Sequence, residues 1–117
     1  MITGSLVALI TPMKPKSFDV DWDCFEKLIK WHIFNKTNAI VVVGTTGESS
    51  TLSFSEHKKV IERALEYAAG EIPIIAGTGA NSTSEAIELT RSAADAGADA
   101  CLLVTPYYNK PSQNGLF

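Results

Sequence analysis

The sequence is poor in the residues that build metal and disulfide sites. Its 117 residues include two cysteines and two histidines. Cys24 and Cys101 lie far apart, and Cys101 sits inside an apolar run, so both read as reduced packing residues rather than a disulfide framework. There is no CxxC, no HExxH and no histidine cluster, so no protein-bound metal is expected. Long hydrophobic runs are missing too. The opening segment, Met1 to Ile10, has no basic stretch and only five consecutive apolar residues, too short for a signal peptide or a membrane span. Positive charge is not in excess: the formal net charge is −3, and the ten Lys and Arg are scattered. Only Lys58 and Lys59 are adjacent, in a helical pattern that reads as a solvated face, so nucleic acid is not an expected partner. What is present, 45% hydrophobic, 20% charged and 9% aromatic, is the composition of an ordinary soluble domain, expected in the cytoplasm.

No linker or low-complexity segment interrupts the chain. It alternates short apolar runs with longer helical patterns. Leu6–Ile10, Ala39–Val43, Ile72–Ala76 and Ala100–Val104 are apolar throughout or nearly so, as strands covered on both faces are. Helices are predicted between them. The first spans Trp22 to Phe34, with Asp21 as N-cap, Phe25, Leu28, Ile29 and Ile33 on one face, and Asn35 as the left-handed residue that ends it. The second opens on a capping box, Ser53-Phe-Ser-Glu56, carries the stripe Val60, Ile61, Ala64, Leu65, Ala68, and ends at Gly70. A second box, Ser82-Thr-Ser-Glu85, opens the third helix, and Gly97 closes it. Pro73 falls near the start of the third strand, where a missing amide costs least. Strand starts near residues 6, 39, 72 and 100 give a repeat of one βαβ step and predict an all-parallel sheet, either a barrel or a doubly wound sheet.

The segments that follow the strands differ from those that lead into them. Thr11-Pro12, Gly44-Thr-Thr-Gly-Glu48, Gly77-Thr-Gly-Ala-Asn81 and Thr105-Pro-Tyr-Tyr-Asn109 carry hydroxyls, glycines and tyrosines, whereas Asn35–Asn38 and Gly97–Asp99 are short and plain. The carboxyl edge of the sheet is where both α/β architectures place their sites, so an enzyme acting on a small polar substrate is expected. In Gly44-Thr45-Thr46-Gly47-Glu48, two glycines permit close backbone approach to a ligand, and adjacent amides with two hydroxyls suit a small carboxylate. The same residues also suit a turn with local hydroxyl-to-backbone bonds. Tyr107 and Tyr108 can serve a proton relay of chained hydroxyls, or packing at an interface. Gly77-Thr-Gly79 begins like a dinucleotide fingerprint but lacks its third glycine, and no GK[ST] follows any glycine loop. His32 reads as a satisfied core histidine and His57, in the first turn of its helix, as a surface residue.

Gly44-Thr-Thr-Gly-Glu48, Ile75-Ala-Gly-Thr-Gly-Ala-Asn81 and Val104-Thr-Pro-Tyr-Tyr-Asn-Lys-Pro111, in this order, resemble the dihydrodipicolinate synthase family, within the pyruvate-aldolase superfamily that includes N-acetylneuraminate lyase. Sialic-acid lyases usually carry Ser at the position of Thr45 and lack the Tyr-Tyr-Asn run. The resemblance implies a (β/α)₈ TIM barrel. This chain would supply its first four strands and three helices, residues 1–117 being the N-terminal half of one barrel domain with no internal boundary. It implies a cofactor-independent enzyme that joins pyruvate to aspartate 4-semialdehyde through a lysine Schiff base, on the route to diaminopimelate and lysine. By the same resemblance Thr46, with Gly44 and Gly47, would bind the pyruvate carboxylate, and Thr45 and Tyr108 would belong to a proton relay. Tyr108 would reach into a neighbouring subunit's site, in a homotetramer built as a dimer of dimers. Ser49, Ser50, His57, Asn81, Glu85 and Tyr107 would form a pocket for lysine as feedback inhibitor, with Phe54 where some lysine-inhibited relatives carry His.

The family's barrel needs about 250 residues and a lysine on its sixth strand. Lys14, Lys16, Lys27, Lys30, Lys36, Lys58 and Lys59 fall on helices or loops where water is expected, and Lys110 lies in a polar loop between Asn109 and Pro111. An imine-forming lysine has to be partly deprotonated, so none of these suits the role, and the lysine is expected beyond Phe117. Two other readings remain open from sequence: another pyruvate or 2-keto-acid aldolase, and an inactive half-barrel that binds or dimerises.

Overall fold

The computed structural model describes residues 1–116. Four parallel strands, β1 (Leu6–Ala8), β2 (Ala39–Val42), β3 (Ile74–Gly77) and β4 (Ala100–Leu102), form one sheet in chain order. Three helices, α1 (Trp22–Phe34), α2 (Phe54–Ala68) and α3 (Thr83–Ala96), connect them, with α2 packed between α1 and α3. The order never reverses, so there is no switch point of the kind that divides a doubly wound sheet. The four units are the beginning of a (β/α)₈ barrel, with all three helices in one layer.

The alternation of each strand divides the core in two. Leu9, Ile40, Val42, Ile74 and Ala76 pack against Phe25 and Ile29 of α1, Val60, Ile61, Ala64 and Ala68 of α2, and Ala93 of α3. Each large side chain buried there contributes about 1.5–3 kcal/mol. Ala39, Val41 and Ile75 form a separate, smaller cluster on the opposite face, with Ile2 and Ala100 beside it. Leu6, Ile10, Leu102 and Leu103 remain exposed near the two edge strands.

Local signals formed as predicted at two helix starts. The Asp21 carboxylate accepts the Cys24 amide at 3.0 Å. Both halves of the Ser53–Glu56 box are made, and the Ser53 hydroxyl and then its amide hold the Glu56 carboxyl below its ordinary pKa. Three expectations need correction. Asn35 is not left-handed (φ −85°); its side-chain amide donates to the Trp31 carbonyl at 2.8 Å, and the left-handed residue is Lys36 (φ 62°). The amides of Lys36 and Thr37 then close back on Ile33 and His32, a Schellman ending shifted by one residue. Ser82 is the N-cap of α3 but forms no capping bond, since its hydroxyl pairs with that of Ser84 at 2.9 Å. The second helix stops at Ala68, one residue before a left-handed Ala69, and Gly70 follows.

The plain-looking loops at the amino edge prove to be register clamps. Asn38 accepts the Ser5 amide on Oδ1 at 2.8 Å while its own amide donates to the Ser5 carbonyl at 3.0 Å. Asp99 does the same to Ile74, at 2.9 and 3.0 Å. An Asx residue ahead of β2 and another ahead of β4 thus fix where each strand starts against its neighbour.

Candidate functional site

The loops at the carboxyl edge are built on a strained residue. Val43, directly after β2, has φ 47° and is 1% exposed. A β-branched side chain in the left-handed region is an outlier that its surroundings have to enforce. Two glycines do so. A Cβ on Gly77 would stand 2.3 Å from the Val43 carbonyl oxygen, and one on Gly47 3.0 Å from the Val43 Cα. The turn that follows is closed by the Glu48 amide donating to the Thr45 carbonyl at 3.1 Å and held from the loop after β1 by Thr11, whose buried Oγ1 donates to the Gly47 carbonyl at 2.8 Å.

Two cavities open along this edge. One, of about 230 Å³, is lined by Val43, Gly44, Thr45 and Ser49 after β2, Gly77 and Gly79 after β3, and Leu102 to Val104. No lysine or arginine lines it, so an anionic group there would have to be held by hydroxyls and amides. The other, about 360 Å³, brings together all six residues expected to form one pocket, Ser49, Ser50, His57, Asn81, Glu85 and Tyr107, and adds Leu52, Phe54, Gly79, Ala80 and Leu89. Ser49 and Gly79 border both cavities. Thr46 and Tyr108 are both exposed, Tyr108 by 87%, and neither of them, nor the buried Gly47, lines either cavity. Lys110 lines a further cavity of about 380 Å³ with Pro106 and Leu116, which meets the second at Tyr107.

His57 corrects the sequence reading most directly. It is 5% exposed, not a surface residue, and its Nε2 lies 2.7 Å from the Gly77 carbonyl. A carbonyl can only accept, so Nε2 carries the proton. Burial pushes the His57 pKa below its ordinary value and the bond to Gly77 offsets this in part, so the ring is neutral at pH 7. His32 is half-buried, with Nδ1 2.9 Å from the Thr37 hydroxyl, and burial lowers its pKa as well. The second cavity therefore presents one carboxylate (Glu85), a neutral imidazole, hydroxyls and the Asn81 amide, whose Oδ1 accepts the Tyr107 amide at 2.9 Å. Such a lining suits a small ligand bearing an ammonium group.

Residue reading missed Thr11 as a support of the threonine loop, and the Val43 backbone. It also missed Thr78, which is fully buried and accepts on its Oγ1 from Thr90 at 2.9 Å. Thr11 had a signal in its position directly beyond an apolar strand; Val43 had none. Among the described residues there is no group of three metal-ligating side chains, and no helix is long and apolar enough to cross a membrane.

Parallel strands in chain order, one helical layer and glycine- and hydroxyl-rich loops on the carboxyl edge define a portion of a (β/α)₈ barrel with cavities at the face where such barrels place their sites. The chain belongs to the dihydrodipicolinate synthetase family, whose sequence profile matches residues 1–117. It is 63% identical over 117 residues to the 4-hydroxy-tetrahydrodipicolinate synthase of Cellvibrio japonicus, covering all of this chain and 40% of that protein. A solved dihydrodipicolinate synthase from Acinetobacter baumannii, complexed with pyruvate, superposes with a TM-score of 0.95 at 64% identity, over 99% of this chain and 40% of that one. The enzyme of Cyanidioschyzon merolae, solved with lysine bound, gives 0.93 at 43% identity, over 98% and 39%. The chain spans about 40% of the length of these relatives.

Proposed function

We propose that this chain forms the N-terminal half of a single barrel domain in a cytoplasmic enzyme that condenses pyruvate with aspartate 4-semialdehyde through a lysine imine. The observation that carries the reading is the Gly44-Thr45-Thr46-Gly47 turn, mounted on a buried, strained Val43 beside a cavity with no cationic side chain. A site of that kind holds a small carboxylate by amides and hydroxyls, leaving the charge of an imine-forming lysine to a later strand. Thr46, Gly44 and Gly47 take the pyruvate carboxylate. Thr45 and Tyr108 pass protons during imine formation and cyclisation, both hydroxyls able to donate and accept. The exposure of Tyr108 supports its use in a neighbouring subunit's site, within a tetramer built as a dimer of dimers. The second cavity takes lysine, with Glu85 facing its ammonium group; Phe54 replaces a polar contact there with an apolar one.

Borohydride trapping on the full-length protein tests the reaction. Reduction of the imine leaves one adduct with the mass of pyruvic acid less one oxygen, on a lysine beyond Phe117. Aspartate semialdehyde added before borohydride discharges it. Absence of an adduct at saturating pyruvate would overturn the Schiff-base reading, and discharge only by other aldehydes would overturn the substrate.

A further inference from the structure

The loop that carries Thr45 and Thr46 is supported from behind by a path that begins on a helix. The His57 ring, buried at the start of α2, donates from Nε2 to the Gly77 carbonyl at 2.7 Å. Gly77 in turn is pressed against the Val43 carbonyl so closely that even a methyl group would stand 2.3 Å from that oxygen and 2.8 Å from the Gly44 nitrogen. Val43 holds φ 47°, a conformation its β-branched side chain resists. A strained residue persists only where its neighbours over-determine it, and such residues gather where a side chain has to be aimed. Nothing in the bonding of Gly44 to Gly47 alone fixes the direction in which the loop leaves β2. That direction is bounded by the Gly77 backbone, with Thr11 holding the far end of the loop; Gly77 is itself placed by its pairing with Leu102 in the sheet and by the bond from His57.

We infer that His57 is a positioning residue for the pyruvate site, acting through Gly77 and the strained Val43 to aim Thr45 and Thr46. The inference rests on the proposed role of those threonines. It assigns His57 a function that is independent of any occupant of the cavity it lines, since the bond to Gly77 leaves from the ring nitrogen facing β3.

The test uses the full-length protein and three substitutions, His57→Leu, His57→Asn and His57→Gln. Leucine has no donor, asparagine has one too short to reach Gly77, and glutamine places an amide nitrogen near the position of Nε2. The readout is the pyruvate concentration that half-saturates the borohydride-trapped adduct, with thermal stability measured alongside. His57→Leu and His57→Asn are expected to raise that concentration about tenfold while retaining full adduct at saturation, and His57→Gln to recover most of the loss. Should the leucine variant fail to fold, the asparagine variant decides. Lowered stability in all three variants at unchanged half-saturation would overturn the inference, since that is what a merely structural histidine gives. Equal defects in Asn and Gln would overturn it too, because the donor would then be irrelevant. If the unmodified protein forms no adduct, the Schiff-base reading itself fails; if it does and the leucine and asparagine variants match it, only the role of His57 fails.

Discussion

Thr11 offers the sharpest test of how the fold holds the threonine loop. Its side chain is 4% exposed, and its Oγ1 donates to the carbonyl of Gly47, 36 residues away, at 2.8 Å. Thr11→Val exchanges the hydroxyl for a methyl of similar volume, so packing is kept while the Gly47 carbonyl loses that donor in a buried place. Leaving such an acceptor unsatisfied costs about 1–3 kcal/mol. The cost falls on the loop rather than on the sheet, because Val43 and Leu9 remain packed. Local opening of the turn should therefore become about 5–30-fold more frequent for a loss of 1–2 kcal/mol. Hydrogen exchange of the full-length protein reads this directly at the Glu48 amide, which donates to Thr45, and the Ser49 amide, which donates to Gly44. Exchange at both should accelerate by that factor while amides of β2 and β3 keep their protection. Thr11→Ser, which restores the hydroxyl and loses only the methyl, should exchange close to the parent rate at these two sites. Unchanged exchange in Thr11→Val would refute the claim that this bond holds the turn. Equal acceleration in the serine variant would refute it as well, by assigning the effect to the lost methyl.

Four further outcomes follow from named residues. Ser53→Ala removes both the acceptor for the Glu56 amide and a partner of its carboxylate, and should cost about 1 kcal/mol, seen as a lowered denaturation midpoint. His57 and His32 have pKa values lowered by burial, so the unfolded chain binds more protons below about 6.5 and stability should fall on acidification through that value. The fall should be shallower in His57→Gln, and an unchanged slope in thermal melts across the range would contradict the burial of this ring. The 117-residue chain alone should form no borohydride-trapped pyruvate adduct, because neither cavity bordered by the Gly44–Ser49 loop has a lysine in its lining. Its open sheet face, with Leu6 and Leu102 exposed, should drive self-association in sedimentation.

What could be read from the residues was what acts over short separations. The Asp21 cap, the Ser53–Glu56 box and the apolar stripe of α2 involve residues three or four apart, and all three formed. The same reasoning failed at Ser82, where a neighbouring hydroxyl at Ser84 competed for the one that would have capped, and at Asn35, where side-chain bonding to Trp31 moved the left-handed residue to Lys36. Longer separations left no pattern. His57 looked exposed because polar residues surround it in sequence, yet its partner lies 20 residues on in β3. The choice between barrel and doubly wound sheet was equally silent, since it depends on which face each helix covers and both arrangements repeat at one βαβ step. The six residues grouped by family resemblance do share one cavity, whereas Thr45 and Tyr108 do not share one within this chain.

The two faces of the sheet explain why the site can be well formed in a chain whose barrel is open. The helix-facing core draws on all three helices and is closed. The opposite face holds only a small cluster around Val41 and Ile75, and the strands that would cover it belong to the rest of a barrel. The supports of the loops belong to the first of these faces or to the edge itself. Thr11 ties the loop after β1 to that after β2, His57 ties α2 to the end of β3, and Asn81 ties the loop after β3 to that after β4. Each tie joins one β/α unit to the next, so the geometry of the threonine loop is inherited from adjacent units rather than from closure of the barrel. Closure is then required for different things: the lysine of the proposed reaction, and the exclusion of water from an inner face that the first four strands leave exposed.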